Sequence, residues 1–214
     1  MIKNTVLPSV SCVRYLGVIV DCYLKFDAHI SLIVRKAMFR SRMILQCFSS
    51  RNKDLMLKAF FTYVRPILEY CSPVWSPHLK YLIDRIESVQ KNFTKRLPGL
   101  RNVPYPKRLE LLKLLSLEYR RISYDFRLCY QSLHRYCDTT ITSCLTYRSV
   151  DNTRSNRCKL FKHSCSIDAT KFYFTNRIVN VWNSLPQYVV SAPTLSCFCN
   201  GLSKIDLGKF CVIY

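Results

Sequence analysis

Between residues 25 and 137, apolar side chains recur at the i, i+3, i+4, i+7 interval that lines one face of an α-helix. The first such stretch follows Asp27, a residue type suited to a helix N-cap. Ile30, Ile33, Val34, Ala37, Met38, Ile44, Leu45 and Phe48 share its apolar face, and Arg35, Lys36, Arg40 and Arg42 fill the other. A second helix is predicted from Asn52, carrying Leu55, Ala59, Phe60 and Tyr63 until Pro66 kinks or ends it. Residues 67–71 resume it before Ser72-Pro73. A third is predicted over about 79–97, with Leu79, Ile83, Ile86, Val89, Phe93 and Leu97 inward. Lys80, Arg85, Lys91, Lys95 and Arg96 lie outward, and Pro98-Gly99 stops it. A fourth begins near Pro106 and covers Leu109 to Leu115. A fifth starts at Ser116 and carries Ile122, Phe126, Cys129 and Leu133.

The ends of the chain follow other patterns. Residues 12–20 (CVRYLGVIV) are rich in β-branched and aromatic side chains, which predicts one strand that Asp21 ends. Gly17 inside it implies a bulge or a close backbone approach. A lone strand is not stable, so its partner comes from the residues before it or from outside this chain. Residues 138–170 are rich in Ser, Thr and Asn and predict a loop. Phe172, Phe174, Ile178, Val179, Val181, Trp182 and Leu185 then form an apolar cluster, closed by the turn at Asn183-Ser184-Leu185-Pro186. The last residues (FCVIY) predict a short strand or a packed tail. The fold class is therefore mainly α: a helical bundle over 25–137, a β segment within 1–24, and a small irregular extension over 138–214.

The chain is long enough for one domain with a small appendage, and 49% hydrophobic residues suffice for a core. Charge changes the picture more. Lys and Arg number 33 against 13 Asp and Glu, a formal net charge of +20. Residues 22–137 alone hold 22 basic and 8 acidic side chains. Lysines and arginines that merely solvate helices are normally matched by acidic neighbours at i+4. Here they are not, which favours nucleic-acid binding over a simply solvated face. Such contacts go to phosphates and confer position without sequence preference.

Several chemistries drop out. The four glycines build neither of the common nucleotide-binding loops. The four histidines form no H-E-x-x-H, and nothing marks a hydrolase nucleophile. Twelve cysteines without a C-x-x-C read as reduced thiols, several of them in the core. Cys158, His163 and Cys165, or Cys197 and Cys199 with Cys211, lack the spacing of a zinc knuckle or ribbon. No apolar run is long enough for a membrane span, and no signal peptide is evident. The expected setting is intracellular, nuclear or cytoplasmic. Trp75 and Trp182 can stack bases, but within apolar clusters they read better as core. Tyr119, Tyr124, Tyr130 and Tyr136 interleave with Arg120, Arg121, Arg127 and Arg135, a mixture suited to a nucleic-acid surface or to an ordinary amphipathic helix.

These stretches carry a family resemblance. VRYLGVIVD (13–21), LKFDAHI (24–30), YVRPILEYCSPVWSP (63–77), IESVQKNFTKRLPGL (86–100) with LEYRR (117–121), and TNRIVNVWNSLP (175–186) occur in this order. Together they resemble the C-terminal part of reverse transcriptases from non-LTR, LINE-like retrotransposons of the CR1/Jockey/L2 type. The resemblance implies that Tyr15, Leu16 and Gly17 match a primer-grip-like segment at the end of the palm. It implies that the helices resemble a thumb, which packs on the template–primer duplex. The partner expected is an RNA–DNA hybrid or another duplex, met by Arg35, Lys36, Arg40, Lys91, Lys95, Arg96, Arg120 and Arg121. The family's catalytic F/Y-x-D-D turn and its earlier Asp, which bind two Mg²⁺ ions, have no match in this sequence. No catalytic residue, metal ligand or cofactor is therefore assigned, and Mg²⁺ belongs with the palm and fingers expected upstream. The expectation is a nucleic-acid-binding remnant that does not polymerise alone. The rival reading is a non-enzymatic helical interaction module or an inert transposon relic.

Overall fold

The computed structural model describes residues 10–48, 52–134, 136, 145–148 and 158–212. It is mainly α-helical with one short sheet at the N-terminus. That sheet is a hairpin. β1 (Cys12–Tyr15) pairs antiparallel with β2 (Val18–Asp21), Val13 opposite Val20 and Tyr15 opposite Val18. The stretch expected as one strand with a bulge thus folds on itself and supplies its own partner. Leu16 (φ 44°) and Gly17 (φ 87°) form the turn. Two consecutive left-handed residues match the right-handed twist of the flanking strands, and glycine takes the second position without a Cβ penalty. Asp21 closes the next bend by accepting hydrogen bonds from the N–H groups of Tyr23, Lys25 and Phe26.

Helix α1 (Asp27–Cys47) buries Ile30, Ile33, Val34, Ala37, Ser41 and Ile44 along one stripe. Asp27 is its first helical residue rather than its cap, and its carboxylate accepts from the Tyr81 hydroxyl at 2.6 Å. Asn52 does cap α2 (Lys53–Tyr63), accepting from the N–H groups of Asp54 and Leu55. Pro66 has no N–H to continue that ladder. The helix stops at Tyr63 and resumes as α3 (Arg65–Glu69), with α4 (Ser72–Trp75) a further turn beyond. Trp75 is fully buried, and its Nε1–H donates to the Tyr70 carbonyl. α5 (Lys80–Lys95) buries Leu82, Ile83, Ile86, Val89 and Phe93 and packs along α1. Gly99, at φ 73°, follows its end. α6 (Tyr105–Leu111) has Pro106 in its first turn; it stops short of the expected Leu115, and Lys113 at φ 51° turns the backbone out of the helix before Ser116 caps α7 (Leu117–Leu133).

The described residues gather into two apolar cores. The first gathers Val18, α1–α5 and Leu117. The second gathers Phe126, Cys129 and Tyr130 of α7 with the C-terminal residues. Among its described residues, the extension expected to be irregular carries four short helices joined by turns: α8 (Asp168–Lys171), α9 (Phe174–Asn183), α10 (Gln187–Val190) and α11 (Leu195–Leu202). A 3-10 turn follows at Gly208–Phe210, so the last described residues form a packed tail and not a strand. Trp182 is buried, and its Nε1–H donates to the Cys158 carbonyl. Asn183 holds the Leu160 backbone from both sides, accepting its N–H at 2.8 Å and donating to its carbonyl at 2.9 Å. The WNSLP turn is therefore a structural clamp. Of the Ser/Thr/Asn-rich stretch 138–170 expected as a loop, residues 138–144 and 149–157 lie outside the described residues, as does Arg135.

Candidate nucleic-acid interface

On α1 the apolar stripe faces the core, which leaves Arg35, Lys36 and Arg40 exposed. Among the described residues none of them pairs with a carboxylate. Phe39, 65% exposed, and Met43 stand between these cations. At the C-terminal end of α5, Lys95 and Arg96 are likewise exposed. Tyr81 reaches Asp27, so α1 and α5 begin side by side. Lys91 is half-buried: its ammonium lies 3.5 Å from Asp84 and 5.5 Å from the centre of the Tyr105 ring.

The two arginines of LEYRR have other tasks. Arg121 is only 2% exposed and cannot reach a phosphate. It lies in the field of Glu87, Glu118 and Asp125, and its Nε and Nη1 donate no hydrogen bond. Burial lowers its pKa, and the three carboxylates oppose that shift. Burial likewise raises the Glu87 pKa, against the Tyr105 hydroxyl, the Leu117 N–H and Arg121. It also raises that of Asp125, against Arg177 and Arg121. Arg120 is partly exposed and held by Glu69, with Tyr124 bonded to both. Both arginines were expected on an outer face, and sequence spacing could not reveal that α7 is enclosed on several sides.

Tyr15, Leu16 and Gly17 lie at the tip of the hairpin. Tyr15 and Leu16 are exposed, and the Leu16 carbonyl accepts from the Tyr70 hydroxyl at 3.0 Å. The interleaved tyrosines divide too: Tyr130 is buried and donates to the Ala192 carbonyl, whereas Tyr136 is exposed. Among the described residues, no three His, Cys, Asp or Glu side chains come together to hold a metal ion. No described helix is long and apolar enough to cross a membrane.

Comparison with known proteins adds one relative. An uncharacterized protein of Caenorhabditis elegans is 33% identical over 113 residues, which cover 51% of this chain. The aligned region spans 57% of that protein's length. No family model matches the sequence, and no solved structure matches it.

Proposed function

We propose that this chain is a thumb-like nucleic-acid-binding module, a part of a non-LTR retrotransposon reverse transcriptase that lacks the catalytic palm. The observation that carries the reading is the set of exposed, unpaired cations Arg35, Lys36, Arg40, Lys95 and Arg96 on helices whose opposite faces are already buried. They are free to meet phosphates of a duplex such as an RNA–DNA hybrid, without reading its sequence. The order of the family-like stretches supports the same reading. Such a module holds a duplex and has no polymerase activity of its own.

The test is hybrid-duplex binding across a salt series. Replacing Lys95 and Arg96 with Gln should flatten the log–log salt slope by about one unit for each phosphate no longer neutralised. The variant should keep its helical circular dichroism. An unchanged slope in a folded variant removes this surface from the reading. Exposed Phe39 and Met43 favour the second reading, a helical interaction module. In that case Phe39→Ser would abolish partner capture while leaving duplex binding intact.

A further inference from the structure

Away from the exposed faces of α1 and α5, two clefts of about 450 Å³ and 310 Å³ meet at Leu115 and Arg120. The larger is bounded by Lys58, Phe61 and Arg65 of α2–α3 and by the 112–115 turn. The smaller runs along α7 past Tyr119, Tyr124 and Arg127 towards α11. The charge beneath their junction is unbalanced. Both oxygens of Glu69 are taken, by the Arg120 guanidinium and by the Tyr124 hydroxyl. Arg65 is left 3.9 Å from the same carboxylate, and its buried Nε makes no hydrogen bond. Its guanidinium lies instead 3.7 Å from the centre of the Phe61 ring. Its pKa falls to about 10, first through burial and then through the charge of Arg120. Two guanidiniums thus share one carboxylate. Lys58, Lys113 and Arg127 add three exposed cations around them, and Asp54 is the acidic residue that lines the clefts.

We propose that this pair of clefts binds one strand of nucleic acid, with a phosphate over the Arg65–Arg120 junction and neighbouring bases against Phe61 and Tyr124. The surplus positive charge calls for an anion. Two clefts in line, with cations and aromatic faces in both, suit an extended polyanion bearing flat apolar groups. A lone phosphate would leave the aromatic faces unused, and a duplex is too wide to enter a cleft. The site shares no residue with the proposed duplex face, so either can fail without the other.

The test uses the full chain and two labelled probes in fluorescence anisotropy: an oligothymidylate of about 12 nucleotides and a hybrid duplex of similar length. The groove variant is Lys58→Gln/Lys113→Gln/Arg127→Gln, three exposed side chains outside the Glu69 network. The face variant is Lys95→Gln/Arg96→Gln. The groove variant should weaken strand binding about tenfold at low salt and lower its salt slope by about 0.7 for each phosphate left without its cation. Its duplex affinity should stay within about twofold. The face variant should do the reverse. Strand affinity that is absent in the native chain, unchanged in the groove variant, or weakened equally in both variants overturns the proposal. So does displacement of the strand by inorganic phosphate at matched ionic strength, which would mark a free-anion site. If the triple variant does not fold, Arg127→Gln alone carries the same comparison.

Discussion

At the scale of single residues, burial decides the role of each cation. Arg121 and Lys95 are both basic residues on amphipathic helices, yet one lies among three carboxylates and the other in solvent. Removing a buried charge strands its partners. Arg121→Met should therefore cost about 3 kcal/mol in urea unfolding. A phosphate-contacting arginine would instead change the salt slope of binding and leave stability nearly intact. His29 is buried against Trp75 and accepts the Ile19 N–H through Nδ1. Burial, then the charge of Lys36, lowers its pKa below the usual 6.5. The unfolded chain takes up this proton at higher pH than the folded one does. The stabilisation is therefore full above about pH 7 and is lost as pH falls through 6.5 towards the folded value. His29→Gln should flatten the fall in stability between about pH 7 and 5. Part of the fall should remain, because burial shifts His78 in the same direction.

At the scale of elements, the hairpin is the one least supported by its own sequence. A two-stranded sheet is marginal alone. This one is held by Val18 in the first core, by the Ile19 N–H bond to His29 and by the Tyr70 hydroxyl on the Leu16 carbonyl. A lone unpaired strand would exchange its amides freely, whereas the paired hairpin should show intermediate protection over 13–20. Tyr70→Phe removes one tether worth about 1 kcal/mol, so those amides should exchange roughly fivefold faster. Amides in 30–44 and 83–93 should be unaffected. Equal acceleration in the helices would mean that the tether supports the whole fold.

At the scale of the molecule, α7 joins the two cores, and one arginine reinforces the joint. Arg177 of α9 pairs with Asp125 of α7 at 2.9 Å and donates to the Pro73 carbonyl in α4 at 2.7 Å. Arg177→Met breaks both links and leaves Asp125 buried, a loss of about 3 kcal/mol. Trp75 reports the first core and Trp182 the second. In single-tryptophan variants (Trp75→Phe or Trp182→Phe) of the native chain, the two unfolding curves should coincide. With Arg177→Met, the Trp182 curve should move to lower urea ahead of the Trp75 curve. Coincident curves in that background would show that α7 alone couples the cores.

The helices from Asp27 to Leu133 were legible in the sequence because their information is local. A 3.6-residue apolar period, the Asn52 and Ser116 caps, and the breaks at Pro66 and Pro98-Gly99 act within a few residues of chain. The same locality made the exposed cations of α1 and the end of α5 readable: one buried stripe leaves the rest of a helix to solvent. Tertiary structure decided the remainder. Whether 12–21 is one strand or two depends on a turn seated against Tyr70 and His29, far along the chain. Whether Arg120, Arg121 and Lys91 reach solvent depends on Glu69, Glu87 and Asp84, and on how many sides of each helix a neighbour covers. Spacing along one helix records its own period. It does not record which other helices close over it, and burying a charge requires partners that only the folded chain brings together.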